Sequence, residues 1–302
     1  MKSALLLQKK VILERQIDEL NALFSKYLPG YSPEYATGPD DVQNHAKYDL
    51  IITAFPDFFE PVMRKIAKPG HLHFTSSGTD KLSDYPDLDL DGVLITSSAG
   101  VNAVTIAEHI LGVMLAFAKN LHIYRDQQQK TEWRRMWHSE LNGLTAGVIG
   151  LGNIGEKTSR LLSALGMEVI GCNRTPKNVE GIAHCYPLTQ LDEFLSKSDY
   201  AVLCLPLTEE TRNLADKHFF EMMKPGSFFI NVSRGELVNE ADLISALEAG
   251  KPAGAALDVF EHEPLSENHP FWSMGNVILT PHVAGTTQKY MENMFRILAQ
   301  KV

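Results

Sequence analysis

The feature of this sequence that most limits its fold is a glycine-rich turn between an apolar strand and a helix. Residues 145–149 form an apolar run, and Gly150, Gly152 and Gly155 follow in the spacing Gly-x-Gly-x-x-Gly. The first glycine permits a tight turn, the second lets the backbone approach a pyrophosphate, and the third lets helix and strand pack closely. The helix N-terminus attracts phosphates through its free N–H groups and positive dipole. This context predicts a dinucleotide site; glycines in an ordinary strand-to-helix turn are the alternative.

Strand-like and helix-like segments alternate along the chain, which predicts parallel sheets covered by helices. Before the glycine turn, strands are predicted at residues 4–8, 50–54, 71–75 and 92–96, and helices at 11–27 and 58–67. From the glycine turn onward, six strands are predicted, at residues 145–149, 167–172, 200–205, 227–232, 254–258 and 277–279. Between the two sets, residues 101–119 form an almost wholly apolar helix that is expected to join two bodies or lie in an interface.

The length of 302 residues exceeds the usual size of one core, about 100 to 200 residues, so two domains are expected, with one large α/β unit as the alternative. The predicted fold class is α/β, with two doubly wound parallel-sheet domains. A Rossmann coenzyme domain at residues 100–282 is inserted into a flavodoxin-like substrate domain at residues 1–99 plus 283–302. The last helix, residues 287–301, is predicted to pack back on the first domain because no further strand follows it.

Composition argues against several classes of partner. The 28 Lys and Arg residues against 37 Asp and Glu residues give a formal charge of −9, and no basic run exceeds a pair, so nucleic acid is not an expected partner. The apolar run at residues 4–7 is too short for a signal peptide, and no long uncharged apolar stretch predicts a membrane span. The three cysteines, Cys172, Cys185 and Cys204, lack metal or redox spacing. A cytoplasmic protein with reduced thiols and no metal site is expected.

The end of the strand that follows the glycine turn, at residues 167–172, is expected to select the cofactor. An NAD site usually has Asp or Glu there, about 20 residues past the glycines, to accept a hydrogen bond from the ribose 2′-hydroxyl. This chain has Asn173, Arg174 and Thr175 instead. No carboxylate repels a 2′-phosphate, the planar fork of Arg174 suits one, and both neighbours can donate hydrogen bonds. NADP(H) is therefore the preferred prediction, and NAD(H) beside a solvated arginine is the alternative.

Three polar residues lie at or just beyond the ends of later strands: Arg234, Glu263 and His282. The carboxyl ends of parallel strands line the ligand crevice of an open α/β sheet, so these side chains are expected to converge. Together they suit reduction of a 2-oxo acid: the arginine binds the carboxylate and polarises the carbonyl, the histidine supplies a proton, and the glutamate orients the imidazole. Taken singly, each residue also has a purely structural interpretation: Arg234 as a surface turn residue, Glu263 as a helix or turn cap, and His282 as a packed histidine at a strand end.

Five stretches extend this pattern in an order that is typical of one family. They are ELNGLT at 140–145, LPLTEET at 205–211, INVSRGELV at 230–238, ALDVF at 256–260 with Glu263-Pro264, and LTPHVAGT at 279–286. In these stretches the sequence resembles the D-isomer-specific 2-hydroxyacid dehydrogenases, which reduce 2-oxo acids with NAD(P)H. The lack of an acidic residue at 173–175 is similar to the glyoxylate/hydroxypyruvate reductase branch. The first 70 residues match only in their strand and helix pattern.

For the substrate, the resemblance implies three roles. Arg234 binds the carboxylate and carbonyl oxygen, Glu263 partners the histidine, and His282 is the acid–base. The backbone amides of the loop at 76–80, with Ser77 and Gly78, receive the substrate carboxylate. That loop has no Arg/Lys cluster for a phosphate, and Glu263 stands where the formate-oxidising branch is expected to carry glutamine, so a small unphosphorylated 2-oxo or 2-hydroxy acid is expected.

For the cofactor, the resemblance places Asn153 and Ile154 over the pyrophosphate and Asp258 at the nicotinamide carboxamide. Four further residues are expected to line the dinucleotide: Pro206, Thr211, Val232 and Gly285. An alternative function is a cofactor-sensing binding protein, because the family also includes corepressors with the same fold. An amino-acid dehydrogenase is disfavoured because the expected lysine-centred site is missing.

The oligomeric state is predicted from one region of the sequence. The apolar helix at 101–119 and the segment 121–137, with Trp133 and Trp137, indicate a homodimer arm, as in the family. A buried hinge helix explains the first of these segments equally well.

Overall fold

The chain forms two compact units, each with its own parallel sheet. In this computed structural model, which describes residues 1–76 and 79–302, the first unit comprises residues 1–101 and 287–302, and the second comprises residues 102–286. The predicted boundaries, after residues 99 and 282, lie slightly before these. At the second boundary the reason is local, since Asp258 in the second unit accepts hydrogen bonds from the backbone N–H groups of Val283 and Ala284.

The first unit has a five-stranded parallel sheet. Its strands are β1 (Lys2–Leu7), β2 (Tyr31–Ala36), β3 (Leu50–Thr53), β4 (His71–Phe74) and β5 (Leu94–Ser97). Their order, β2-β1-β3-β4-β5, is the flavodoxin-like doubly wound order. The helices of this unit are α1 (Lys10–Tyr27), α2 (Phe59–Lys65), the C-terminal helix Tyr290–Leu298, and the short 3₁₀ turns Pro39–Asp41 and Asp80–Asp84.

The central strands of this sheet are largely buried because helices cover both faces, and most of their residues are apolar, with buried polar exceptions such as His71 and His73 of β4. Successive residues of β1 alternate between the faces: Leu6 packs with α1 and the C-terminal helix, and Leu5 packs with α2. The C-terminal helix is anchored on α1 by Phe295, whose ring lies edge-on to Phe24 with centroids 4.9 Å apart.

The sequence does not predict β2. It lies at the edge of the sheet, most of its residues are partly or fully exposed, and it contains Pro33. An edge strand needs hydrogen bonds on one side only and tolerates proline, so it lacks the continuous apolar run that identifies a central strand.

The second unit has a seven-stranded parallel sheet. Its helices are α3 (Ala103–Ala118), α4 (Leu121–Gln129), α5 (Asn153–Ala164), α6 (Leu191–Lys197), α7 (Lys217–Met222) and α8 (Glu240–Glu248), with 3₁₀ turns at Leu188–Gln190, Gly235–Leu237 and Pro270–Ser273. Its strands are β6 (Thr145–Ile149), β7 (Glu168–Asn173), β8 (His184–Pro187), β9 (Tyr200–Leu203), β10 (Phe228–Asn231), β11 (Gly254–Leu257) and β12 (Val277–Leu279).

The strand order β12-β11-β10-β9-β6-β7-β8 is the doubly wound Rossmann order with one strand added at the β12 edge. The order reverses between β6 and β9, which makes the carboxyl end of β6 the topological switch point where ligands bind. The prediction of six strands is wrong by one, because β8 is an edge strand of four residues that begins with an exposed histidine and ends at Pro187.

Helix α3 belongs to the core of the second unit. Ile106, Ile110 and Phe117 are buried in the same apolar cluster as Val148 of β6 and Leu162 of α5. Among the described residues no single helix is long and apolar enough to cross a membrane, and α3 and α4 meet that criterion only as a pair bent by 65°. Packing within the fold therefore accounts for the buried face of α3, whereas Val104 and Leu115 of this helix are exposed.

Candidate functional site

The glycine turn leaves an open space at the start of α5. Gly150 has φ of +94°, and a Cβ there would lie 2.6 Å from the carbonyl oxygen of Cys204. A Cβ at Gly155 would collide with the carbonyl oxygen of Gly150, so this glycine permits the close packing of helix and strand. Gly152 has no atom within 4 Å of its Cβ position, immediately before the helix begins at Asn153. The first turn of a helix carries N–H groups without partners in the helix, so the residues fit a pyrophosphate.

The residues at the end of β7 lie beside this turn. The side-chain oxygen of Asn173 accepts a hydrogen bond from Leu151 N–H at 3.4 Å, and its NH₂ group donates to the Thr175 carbonyl at 2.9 Å. Arg174 forms an ion pair with Glu210, with Nη2 and Oε2 2.9 Å apart. Residues 173–175, which are predicted to contact the ribose, are thus hydrogen-bonded to the glycine turn. The carboxylate that pairs with Arg174 was not predicted from the sequence.

The four residues predicted to line the dinucleotide lie in the segments that follow β9, β10 and β12 in the second unit. Thr211 is buried, and its hydroxyl donates to the Pro206 carbonyl at 2.8 Å, which fixes the loop after β9. Val232 is buried directly after β10. At Gly285 a Cβ would lie 2.6 Å from the side-chain nitrogen of Asn102, so a larger residue there would require this side chain to shift.

His282 and Glu263 form a hydrogen-bonded pair. His282 Nδ1 lies 2.7 Å from Glu263 Oε2, and Glu263 Oε1 accepts a hydrogen bond from Phe260 N–H at 3.1 Å. His282 has φ of +53°, an uncommon conformation for a residue with a side chain. With Nδ1 held by the carboxylate, Nε2 is the nitrogen that remains for exchange of a proton with a ligand.

Arg234 joins this pair because two strand-end loops approach closely. It follows β10, and its Nη1 donates to the Ser233 carbonyl at 2.7 Å. A Cβ at the next residue, Gly235, would collide with the backbone of Phe260, so only glycine allows this approach. A cavity of about 240 Å³ lies at the junction, and its lining includes Arg234, Glu263 and His282.

The electrostatics of the cavity favour an ionised glutamate. Partial burial acts to raise the pKa of Glu263, but the hydrogen bonds from His282 and from Phe260 N–H, with the charges of His282 and Arg234, bring the pKa below its ordinary value. Glu263 is therefore an anion at neutral pH and can stabilise positive charge on the imidazole.

Asp258 organises the turn that carries His282. Its carboxylate is buried and accepts hydrogen bonds from the Thr280 hydroxyl, Val283 N–H and Ala284 N–H, at 2.5, 2.9 and 2.9 Å. Its backbone carbonyl accepts a further bond from His282 N–H at 2.8 Å. The contact with a nicotinamide carboxamide that the resemblance implies stays a prediction, and it would use the lone pairs that these donors leave.

The comparison with known proteins identifies the family of this chain. A family model described as "D-isomer specific 2-hydroxyacid dehydrogenase, NAD binding domain" matches residues 111–284, more than half of the 302 residues of the chain. The chain belongs to this family. Its second unit is the NAD-binding domain of a D-isomer specific 2-hydroxyacid dehydrogenase, and the glycine turn lies within the matched residues.

Proteins that are similar to this chain carry the names of different enzymes. A glyoxylate reductase of Thermofilum pendens is 34% identical over 235 residues, which cover 75% of this chain and 69% of the relative. A D-3-phosphoglycerate dehydrogenase of Archaeoglobus fulgidus is 36% identical over 213 residues, which cover 70% of this chain but only 40% of the relative. The solved NADPH-dependent glyoxylate/hydroxypyruvate reductase of Sinorhizobium meliloti, in complex with NADP and sulfate, has a TM-score of 0.78 at 27% identity over 99% of this chain and 92% of its own.

Two predicted substrate-binding residues of this dehydrogenase, Ser77 and Gly78, lie outside the described residues. Their contribution stays a prediction. Among the residues that are described, no group of three or more His, Cys, Asp or Glu side chains is placed to hold a metal ion.

Sequence reasoning missed three residues that shape the site: Gly235, Glu210 and Thr280. Gly235 carries a weak signal, since a glycine directly after a strand-end arginine often marks a close backbone approach. Glu210 carries none, because its partner Arg174 is distant in the sequence and belongs to another loop. Thr280 lies in a recognised stretch, but its bond to Asp258 depends on the pairing of β11 with β12.

Proposed function

We propose that the protein is an NADP-preferring D-2-hydroxyacid dehydrogenase that reduces a small unphosphorylated 2-oxo acid of the glyoxylate or hydroxypyruvate type. The observation that carries this proposal is the His282–Glu263 pair, 2.7 Å apart, beside Arg234 in one cavity. An acid–base group with an anionic partner and an adjacent guanidinium match the needs of a 2-oxo acid, which has a carbonyl to protonate and a carboxylate to bind.

Each of these residues has a separate task in the proposed reaction. The guanidinium of Arg234 binds the substrate carboxylate and polarises the carbonyl. Glu263 accepts from Nδ1 of His282, which directs the proton to be transferred onto Nε2. The reduced nicotinamide, when bound, supplies a hydride for the carbonyl carbon. His282 gives the carbonyl oxygen a proton, so that the 2-oxo acid becomes a 2-hydroxy acid.

The preference for NADP rests on the end of β7. Asn173 and Arg174 stand where an NAD site usually has an acidic residue, and Arg174 is exposed enough to meet a phosphate. The Sinorhizobium meliloti reductase, solved with NADP, is a relative that supports the same choice.

The proposal is tested by initial rates with glyoxylate, hydroxypyruvate and pyruvate, each with NADPH and with NADH at matched concentration. We expect turnover with one or more of these acids and a higher kcat/KM with NADPH. A higher kcat/KM with NADH would remove the cofactor preference but keep the reaction. Tight cofactor binding without turnover of any 2-oxo acid would contradict the proposed reaction and favour the cofactor-sensing role.

The role of His282 is tested by replacement with alanine. We expect H282A to lower kcat by at least about 100-fold, the usual contribution of a general acid, with little change in the NADPH dissociation constant. The matched control is H184A, which removes an exposed histidine of β8 in the same unit. Equal losses of turnover and cofactor affinity in H282A would contradict the assignment.

We further propose that the protein is a homodimer. Trp133 and Trp137 follow α4 and have exposed fractions of 97% and 99%, and Leu121 of α4 is 54% exposed. Large apolar side chains at such exposure are typical of an interface. Sedimentation equilibrium of the full chain is expected to give a dimer that W133A/W137A weakens; a monomer at micromolar concentration would contradict this.

A further inference from the structure

Arg174 is held by a carboxylate from a loop on the other side of the glycine turn. Its Nη2 lies 2.9 Å from Oε2 of Glu210, and both side chains are largely exposed. Arg174 directly follows β7, and Glu210 lies in the loop after β9. Strand β6, which ends just before Gly150, runs between these two strands. The ion pair therefore connects the loops that follow the strands on either side of β6.

This bridge lies at the switch point of the sheet, where the adenosine half of a dinucleotide is expected to pass. The carboxylate of Glu210 stands next to the guanidinium that the proposed function assigns to the 2′-phosphate. The end of β7 has no acidic residue of its own, so Glu210 supplies from the neighbouring loop the carboxylate that an NAD site usually has there.

The loop that carries Glu210 is held in place by its own hydrogen bonds. The Thr211 hydroxyl accepts from Thr208 N–H at 2.8 Å and donates to the Pro206 carbonyl at 2.8 Å. Arg212 N–H donates to the Thr208 carbonyl at 3.0 Å. These bonds fix the loop at Thr208 and on the C-terminal side of Glu210, so the loop itself places the carboxylate beside Arg174.

We propose that Glu210 determines how strongly the protein discriminates between NADP and NAD, an inference that rests on the proposed cofactor role of Arg174. With NADP, the 2′-phosphate and the Glu210 carboxylate compete for one guanidinium and repel each other. With NAD, Glu210 keeps Arg174 and accepts from the ribose hydroxyls. An exposed ion pair is weak, so the phosphate can displace it, but the displacement lowers NADP affinity.

The test measures dissociation constants of NADPH and NADH by fluorescence titration, without substrate, for four variants of the full chain. E210Q removes the competing charge and keeps the shape of the side chain. E209Q is the matched control, because Glu209 is an exposed glutamate of the same loop without an ion pair to Arg174. R174Q and R174Q/E210Q complete a double-mutant cycle.

We expect E210Q to bind NADPH about three- to fivefold more tightly, near the upper limit for a surface ion pair, and to bind NADH equally or less tightly. E209Q should change neither constant by more than about twofold, because an exposed charge without a partner contributes little. In the R174Q background, E210Q should no longer increase the preference for NADPH.

Two results would overturn the inference while the proposed function stands. One is an NADPH to NADH ratio that E210Q leaves unchanged, and the other is an equal shift in E209Q, which would indicate general charge repulsion. Failure of the wild-type protein to bind either cofactor would overturn the inference together with the proposed function.

Discussion

The glycines of the turn at 150–155 have different physical tasks, as the motif predicts, and the structure shows what surrounds each of them. Gly155 faces the Gly150 carbonyl, where a Cβ has no room, so this glycine serves the packing of α5 on β6. Gly152 faces open space, so nothing within the chain requires it. The proposed dinucleotide would approach the backbone there, which requires a residue without a side chain.

Replacement of each glycine by alanine is expected to separate stability from binding. G155A forces a methyl group against backbone and should lower the free energy of unfolding by about 1–3 kcal/mol, the usual cost of overpacking. G152A should leave the unfolding midpoint nearly unchanged but weaken cofactor binding by at least about tenfold, because its methyl group fills the space for the pyrophosphate. Thermal unfolding and fluorescence titration check both variants. Equal effects of the two would contradict this division of roles.

At the level of strands and turns, the site is built where β10, β11 and β12 end side by side. Arg234 follows β10, Glu263 lies beyond β11, and His282 follows β12. In the turn after β12, His282 has φ of +53°, an uncommon conformation for a residue with a side chain. The buried carboxylate of Asp258, at the end of the neighbouring strand, binds the backbone on the C-terminal side of His282.

The variant D258N is expected to loosen this turn. Its amide has one acceptor oxygen in place of two and would point an NH₂ group at a backbone N–H, which leaves a buried donor unpaired and costs about 1–3 kcal/mol of stability. We expect a large fall in kcat with a nearly unchanged NADPH dissociation constant.

The control T280V removes only the hydroxyl bond to Asp258, and a smaller effect is expected from it. A large rise in the NADPH dissociation constant of D258N at unchanged stability would instead support the predicted contact with the nicotinamide carboxamide.

At the scale of the whole chain, the sheet of the first unit buries two titratable side chains, His71 and His73. In the first unit the fully buried His73 bonds through Nδ1 to Thr96 and through Nε2 to Ser98, at 2.7 and 2.9 Å, and His71 contacts the same Thr96 hydroxyl. Burial, with the charges of Lys301 and His71, lowers the pKa of His73 from 6.5 to about 3. The folded state therefore keeps this histidine neutral over the whole range between these values.

The expected consequence is a stability that falls in acid. Because the folded pKa of His73 is below the unfolded one, its contribution is fully present above pH 6.5 and is lost as the pH falls toward 3. One proton gives a slope of at most about 1.4 kcal/mol per pH unit in this window. In H73N the free energy of unfolding, measured with denaturant between pH 4 and 7, should fall less steeply.

The matched control is H45N. His45 has φ of +58°, a conformation that asparagine tolerates, so H45N should fold normally. Because His45 is exposed, this variant should retain the slope of the wild-type protein. An equal slope in H73N and H45N would contradict the assignment of the acid sensitivity to His73.

Structural features that depend only on residues adjacent in the chain can be predicted from the sequence alone. The glycine turn at 150–155 and the central strands, such as β1 and β6, have local signals, since spacing and continuous apolar runs are properties of short segments. The edge strands β2 and β8 escaped prediction, because a half-exposed strand has no such run.

Contacts between distant segments needed the tertiary structure. The sequence predicts that Arg234, Glu263 and His282 meet at strand ends, but the 2.7 Å bond between the last two depends on the adjacency of β11 and β12. Likewise, Arg174 is readable at the end of β7, whereas its pairing with Glu210 is not. The physical reason is that local patterns specify elements, while the order of strands in the sheet specifies which of their ends become neighbours.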